Sequence, residues 1–335
     1  MILLTGGTGL VGSHIAYELA KQGKQLRALK RKQSTTAAIE KIFRHYAGND
    51  AEKLLGRVEW VEGDLLDVGS LEDALEGVTH VFHAAAMVSF LPADRKKIVS
   101  FNIDGTANLV NLSLDAGVKK FCHVSSIAAL GKSVNGKIVT EDTWWKTDSS
   151  NSWYAISKYG AEREVWRGTQ EGLDAVIVSP SMILGPGDGE RSSTQLFSAL
   201  RKGLKWYTDG VNGYVDVRDV AAAAVKLMFS EIKNERFILS AENLSYRAFV
   251  DKVLKNFNLP VTKFRAGKFL TGIGWRAEKF LSVFSGKQPR LTPETTAASH
   301  EKNYYDGNLI TRRTDFTYRN MDETIREVCG YYCET

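Results

Sequence analysis

Over its first two thirds the chain alternates short aliphatic and β-branched runs with longer stretches of helical spacing. Met1–Thr5, Gln25–Lys30, Arg57–Val61, His80–Ala84, Lys120–Ser125 and Ala175–Ser179 predict strands. Several are apolar at nearly every position, as strands covered on both faces must be. Between them Gly12–Gln22, Asp94–Gly117 and Ser152–Gly172 carry apolar residues three and four apart and predict helices. Alternation of this kind is the signature of βαβ units, so an α/β fold with a doubly wound parallel sheet is expected. The connection Gln33–Gly56 is long, but Ile39, Ile42, Phe43 and Tyr46 keep helical spacing and predict a helical insertion. After Pro180 the elements shorten and aromatic residues accumulate, among them Trp206, Tyr207 and Tyr214. A helix at Val220–Phe229, a strand at Arg236–Leu239 and a final helix at Met321–Tyr331 complete the pattern. No linker or repeat interrupts it.

Composition narrows the class. With 43% hydrophobic and 25% charged residues over 335 positions, the chain sits in the ordinary globular range, long enough for one large or two small domains. The net charge of +5 comes from basic residues spread along the chain rather than gathered in a stripe, which argues against nucleic acid as a partner. Cys122, Cys329 and Cys333 are too few and too scattered for a disulfide framework, so a reducing, cytoplasmic compartment is expected. No run reaches the ~20 apolar residues of a membrane span, and the chain opens on a strand pattern, not a leader. The most apolar late stretch, Phe269–Phe284, is interrupted by Arg276, Glu278 and Lys279. It is expected to be a substrate-covering or core helix rather than a membrane-surface one.

The sequence Thr5–Gly12, T-G-G-T-G-L-V-G, lies between the first strand and the first helix. Glycines there let the backbone turn sharply and approach a pyrophosphate, which the helix's first N–H groups would bind. The context is that of a dinucleotide-binding, Rossmann-type fold. At the end of the second strand, where an acidic residue would hold the ribose hydroxyls of NAD(H), the chain has Lys30, Arg31 and Lys32. Ammonium and guanidinium groups suit a 2′-phosphate, so NADP(H) is preferred and NAD(H) remains possible.

Tyr154 and Lys158 are four apart and share one face of a predicted helix. A phenol is a poor acid or base at neutral pH, but a nearby ammonium and a nicotinamide cation would lower its pKa and let it exchange a proton with an alcohol or carbonyl. The fifth strand ends on Ser125-Ser126, at the edge of a parallel sheet where ligands bind; a hydroxyl there would orient the substrate oxygen.

Taken in order, T-G-G-T-G-L-V-G, Asp64 in E-G-D-L-L-D, His83–Ala86, Asn102 in N-I-D-G-T, Val124–Ser126, Y-x-x-x-K, Leu184–Gly187 and Tyr214–Ala221 resemble the extended short-chain dehydrogenase/reductase family along essentially the whole chain. The resemblance implies a phosphate loop of Gly6, Gly9, Leu10, Val11 and Gly12. Asp64 and Leu65 would lie along the adenine. Ala84, Ala85 and Ala86, with Asn102, would line the ribose and nicotinamide side, and Pro180 and Ile183 would close over the nicotinamide. Ser126, with Ser125 as the fallback, would be the catalytic serine, Tyr154 the general acid/base, and Lys158 the residue that holds the nicotinamide ribose. Val88, Ser89, Phe90 and Met182 would meet the substrate. The family often has Arg where this chain has Ser179, which puts any ion pair made there in doubt. Relatives dimerise through the two long helices, so a homodimer is implied.

The expected organisation is a dinucleotide-binding part, residues 1–179 with 218–240 returning to it, and a smaller, mostly helical substrate-binding part, residues 180–217 and 241–335. The runs Trp275–Phe280, Pro289–Glu294 and Tyr304–Asp306 resemble the dihydroflavonol-reductase-like and 3β-hydroxysteroid-dehydrogenase-like branch. The leading expectation is thus an NADP(H)-dependent oxidoreductase acting on a secondary alcohol or ketone of a partly apolar small molecule. A nucleotide-sugar epimerase or dehydratase, using Arg191, Arg201 and Arg218 for a diphosphate, is the first alternative. A non-catalytic NADP(H) sensor or scaffold is the second, although it would not need Ser126, Tyr154 and Lys158 together. His80 and His83 do not form a metal set with any carboxylate or cysteine cluster, and His14 and His123 are expected to be satisfied packing residues. Asp216, Arg218 and Asp219 are expected to start a helix, and Trp144 and Trp145 to shield the pocket or anchor the Gly131–Asn151 loop.

Overall fold

The computed structural model describes all residues except 134–135, 149–150, 190–193, 286–291 and 335, and within helices it leaves aside the side chains of residues 92, 277, 279–285, 294 and 334. Arg191 and residues 289–291 of the Pro289–Glu294 run therefore lie outside the described residues. Twelve strands occur among the described residues: β1 (Ile2–Thr5), β2 (Leu26–Lys30), β3 (Val58–Glu62), β4 (His80–His83), β5 (Lys120–Val124), β6 (Ala175–Pro180), β7 (Met182–Leu184), β8 (Trp206–Tyr207), β9 (Val211–Asp216), β10 (Glu235–Leu239), β11 (Glu242–Ser245) and β12 (Phe264–Arg265). Seven of them form one parallel sheet in the order β10-β6-β5-β4-β1-β2-β3. The chain winds outward from β1 through β2 to β3, then crosses to β4 on the other side of β1. That reversal opens a crevice above the ends of β1 and β4, the place where a parallel sheet binds ligands.

Both faces of the sheet are covered, which explains the unbroken apolar strands. On one face α1 (Leu10–Lys21) packs with α2 (Ala37–Ala47) and, across the sheet, α9 (Val217–Met228), burying Ile15, Leu19, Phe43, Val220 and Leu227 against Leu4, Phe82 and Val178. The predicted insertion is thus helical, with α2 followed by the short α3 (Ala51–Leu55), and its Ile39, Ile42 and Phe43 are buried. On the other face α4 (Val68–Leu75), α6 (Gly105–Asp115) and α7 (Trp153–Gln170) cover Leu3, Val81, Phe121 and Ile177 with Leu71, Leu109, Val110 and Val165. The stretch expected as a single helix over Asp94–Gly117 is instead α5 (Arg95–Val99), a π-helical turn at Ser100–Asp104, and α6.

A third core lies beyond the sheet. There Leu184, Tyr214 and Leu244 of a three-stranded sheet (order β11-β9-β7) pack with Phe197 of α8 (Thr194–Leu200), Phe249 of α10 (Tyr246–Asn256) and Ile325 of α14 (Met321–Glu334). Asp216 caps the N-terminus of α9 by accepting from Arg218 N–H, as expected of that acidic run. The helices α11 (Lys268–Ser285), α12 (Pro293–Ala298) and α13 (Leu309–Arg313) complete the described elements. Among the described residues no helix is long and apolar enough to cross a membrane.

Candidate active site

The phosphate loop is defined by contacts that leave no room for side chains. Gly6 has φ +75°, and a Cβ there would lie 2.5 Å from Ala85 N; a Cβ on Gly12 would lie 2.1 Å from Gly6 O. The loop is therefore folded against the chain leaving β4, and the Ala84–Ala86 segment forms the other wall of the crevice. Gly9 is the N-cap of α1 and offers no side-chain acceptor, so the first-turn N–H groups of Leu10, Val11 and Gly12 face the crevice mouth without a side-chain cap. This is the donor set a pyrophosphate needs. Arg31, exposed just past β2, holds its guanidinium 5.7 Å from the centre of the Phe101 ring. Leu65 is buried against Gly105, and Asp64 accepts from Leu66 N–H at 3.0 Å.

Threading between the two walls is a hydrogen-bond chain that the sequence did not announce. Thr106 Oγ1 donates to Asn102 O at 2.6 Å, so its one proton is used, and His83 Nε2 at 2.9 Å must donate to it. In a neutral imidazole Nδ1 then accepts, from Thr5 Oγ1 at 2.7 Å, and Thr5 accepts from Ala85 N–H at 3.3 Å. Burial holds His83 neutral by pushing its pKa down to about 3. Asn102 lies in the π-turn, an irregularity frequent at functional sites. Its Nδ2 donates to Met87 O and to Ser157 Oγ, and its Oδ1 accepts from Met87 N–H. Its amide groups thus fix the loop after β4.

Tyr154, Lys158 and Glu162 rise one above the other along α7, whose N-cap Ser152 accepts from Ala155 N–H. Ser126, just past the end of β5, caps the short turn after it by accepting from Ala128 N–H, and its hydroxyl is near enough to the Tyr154 phenol to favour the phenolate. Lys158 is buried and donates to Val124 O at 2.8 Å; burial pulls its pKa down to about 8, with Glu162 opposing that shift. By itself the Tyr154 phenol has a pKa above its ordinary value, the lowering being expected beside a nicotinamide cation. Burial raises its pKa, and only the Ser126 hydrogen bond counteracts this. The physical reason is that Lys158 is turned to the Val124 carbonyl, so desolvation of the phenolate dominates. Ser125, the fallback serine, donates instead to Glu162 Oε2 at 2.6 Å.

Ser179, where the family often has Arg, leaves its hydroxyl buried and without a partner among the described residues. Glu162 has its own counter-charge: Arg236 of β10, one strand further out, reaches Glu162 Oε1 at 2.7 Å and also donates to the Glu141 carbonyl. Strand pairing brings Arg236 level with Ile177 of β6, a proximity that no local motif encodes.

Of the expected substrate residues, Val88 and Phe90 are exposed at the crevice, and the Phe90 ring meets Tyr154 edge-on at 5.7 Å. Met182 and Ile183 are half-buried in β7, directly after the buried Pro180-Ser181. Ser89 is turned away, its hydroxyl donating to Asp94 at 2.6 Å. Arg218 is bound to Asp216 and Glu327, and Arg201 donates to Tyr332 O, so two of the three arginines considered for a diphosphate are held in structural contacts. Trp145 stacks on Tyr159 at 4.5 Å, whereas Trp144 is exposed. His14 is satisfied by Leu10 O and Tyr46. His123 is not: both ring nitrogens are buried without a partner among the described residues, beside His83 at 5.2 Å.

Comparison with known proteins agrees with this architecture. Residues 2–239 match the model of the NAD dependent epimerase/dehydratase family. The chain is 28% identical over 336 residues to a protein of Synechocystis sp. named "Putative dihydroflavonol 4-reductase", covering 98% of this chain and 93% of that one. It is 28% identical over 267 residues to cinnamoyl-CoA reductase 1 of Petunia hybrida, covering 77% of each. Among solved structures, the crystal structure of gox2253 superposes with a TM-score of 0.81 at 29% identity, covering 100% of this chain and 98% of that one. The chain belongs to the NAD dependent epimerase/dehydratase family, the extended short-chain dehydrogenase/reductases, and is an NAD(P)-dependent enzyme of that type.

Proposed function

We propose that the protein is an NADP(H)-dependent reductase of a ketone or aldehyde on a partly apolar small molecule, working in reverse as an alcohol dehydrogenase. The observation that carries this reading is the buried Tyr154 phenol, edge-on to Phe90 beside the exposed Val88, with Lys158 one helical turn away along α7. The glycine-formed crevice and the uncapped α1 N-terminus suit a dinucleotide: Gly6, Gly9 and Gly12 would admit its pyrophosphate, and Lys30 and Arg31 would take a 2′-phosphate. When bound, the nicotinamide supplies or accepts the hydride.

The protein's own part is to hold the carbonyl and manage one proton. Ser126 orients the substrate oxygen and donates toward the charge that develops on it. Because burial raises the Tyr154 pKa, the phenol is fully protonated at neutral pH, the form a general acid needs for carbonyl reduction. Lys158, buried and tethered to Val124 O, presents its remaining protons to the ribose side of the crevice. Phe90 walls the phenol from water on one side. The His83–Thr5–Ala85 and Asn102–Met87 bonds keep both walls at fixed separation.

The test is a panel of aldehydes, ketones and nucleotide sugars followed by nicotinamide absorbance. The reading expects stoichiometric NADPH consumption with apolar carbonyl compounds and none with nucleotide sugars. Turnover confined to nucleotide sugars, without net cofactor oxidation, would overturn it.

A further inference from the structure

Far along the chain from Tyr154 and Lys158, one surface carries apolar side chains that the described residues leave exposed. The two-stranded ladder of β8 and β12 pairs Trp206 with Phe264, whose rings meet at 5.1 Å yet remain 46% and 51% exposed. Two residues separate β12 from α11, whose second residue, Phe269, is 83% exposed and is followed by the exposed Leu270 and Ile273. Positions 269, 270 and 273 fall on one side of a helix, so these side chains form a single apolar face. Over this first turn and a half the helix is therefore not part of the core. A pair of two-residue strands and a helix start have too little backbone to fold over such a face themselves.

The two segments that form it carry mostly positive charge. Residues 201–209 and 260–276 contain a single carboxylate, Asp209, and Arg265 already pairs with it. Lys202, Lys205, Lys263 and Lys268 are exposed and have no ion-pair partner among the described residues. They flank the aromatic residues directly: Lys205 precedes Trp206, Lys263 precedes Phe264, and Lys268 precedes Phe269. Backbone bonds from Lys263 and Phe264 N–H to Lys205 O fix the two lysine-aromatic pairs of the ladder side by side. Aromatic and aliphatic groups flanked by long cationic side chains are what a bilayer interface selects, since the rings enter the headgroup layer while the ammonium groups stay at the phosphates.

We propose that this face, formed by β8, β12 and the start of α11, docks the enzyme peripherally on an anionic phospholipid surface. A second protein surface would have to supply matching acidic groups, whereas the segments forming this face carry Asp209 alone, already paired with Arg265, so pairing of two copies through it would bring mostly like charges together.

The experiment is sedimentation of the full-length protein with vesicles of phosphatidylcholine, with and without phosphatidylglycerol, at low and high salt. The expected result is binding to the phosphatidylglycerol vesicles at least about tenfold tighter than to phosphatidylcholine alone, weakened by salt. Two double variants at exposed positions, Phe269→Ser with Ile273→Ser and Lys205→Glu with Lys268→Glu, should each lose about tenfold or more in vesicle affinity with unchanged melting temperature. No sedimentation of the wild type with anionic vesicles overturns the proposal. So does full binding by the serine variant, which would mean that cations attract the surface without apolar entry. A wild-type dimer that the serine variant converts to monomer, with vesicle binding absent in both, would assign the face to self-association instead.

Discussion

Arg236 of β10 and Glu162 of α7 form an ion pair at 2.7 Å, one helical turn beyond Lys158. Glu162 is 3% exposed at its side chain, and it also receives Ser125 from just past the end of β5 and Trp166 from its own helix. Arg236 in turn ties β10 to the Glu141 carbonyl, while Glu141 Oε1 accepts from Ile238 N–H. One buried pair thus joins the helix bearing Tyr154 and Lys158, the strand bearing Ser126, and the loop between them.

Removing the cation leaves a buried carboxylate without its counter-charge. Arg236→Met is expected to lower the unfolding free energy by about 3–5 kcal/mol. Urea denaturation measures this; a loss below about 1 kcal/mol would show that Ser125 and Trp166 satisfy Glu162 by themselves.

The phenol's role gives a kinetic expectation. Tyr154→Phe keeps the ring against Phe90 but removes the proton donor, so kcat should fall about 10²–10⁴-fold. Cofactor affinity, followed by nicotinamide fluorescence, should stay within about threefold, since a remote hydroxyl adds little binding. Comparable activity in the variant would remove Tyr154 from the mechanism.

Arg31→Asp tests the coenzyme. Reversing the charge past β2 should raise the KM for NADPH at least about tenfold through loss of a charge-assisted contact, and favour NADH, whose ribose hydroxyls an acidic residue accepts. Equal changes for both coenzymes would place the 2′-phosphate elsewhere.

The buried histidines set an acid limit. His83 has its folded pKa pushed down to about 3, and burial likewise takes His123 well below its ordinary value. In the unfolded chain both return to about 6.5, so below that pH the unfolded state binds protons that the folded state refuses. Their full contribution to stability is present above about pH 6.5 and is lost as pH falls toward the folded values, at about 2 kcal/mol for His83 by about pH 5 and in the same direction for His123. His123 has no partner to lose, so His123→Leu should remove part of this pH dependence while keeping or raising stability at about pH 7. Parallel stability curves for wild type and variant would show that His123 does not contribute.

Much of the fold was legible because its signals are local. The strands β1 to β6 are short apolar runs, and the phosphate loop and the Tyr154–Lys158 spacing each lie within a few residues. What was hidden depends on pairing between distant segments. Arg236 reaches Glu162 only because β10 lies beside β6, and the His83 bonds form only because β4 lies beside β1 and faces α6. The direction of the Lys158 ammonium was hidden for a related reason: sequence spacing placed Lys158 on the right face, but the Val124 carbonyl, contributed by β5, determines where its ammonium points.

If a hydride passes between coenzyme and substrate while Tyr154 supplies the proton, single-turnover reduction with NADPH carrying deuterium at both C4 positions, using a carbonyl compound found in the panel, should place one deuterium on the carbinol carbon of the product per NADPH oxidised. Tyr154→Phe should transfer none with coenzyme bound. Alcohol product without deuterium, or equal label transfer by the variant, would contradict this.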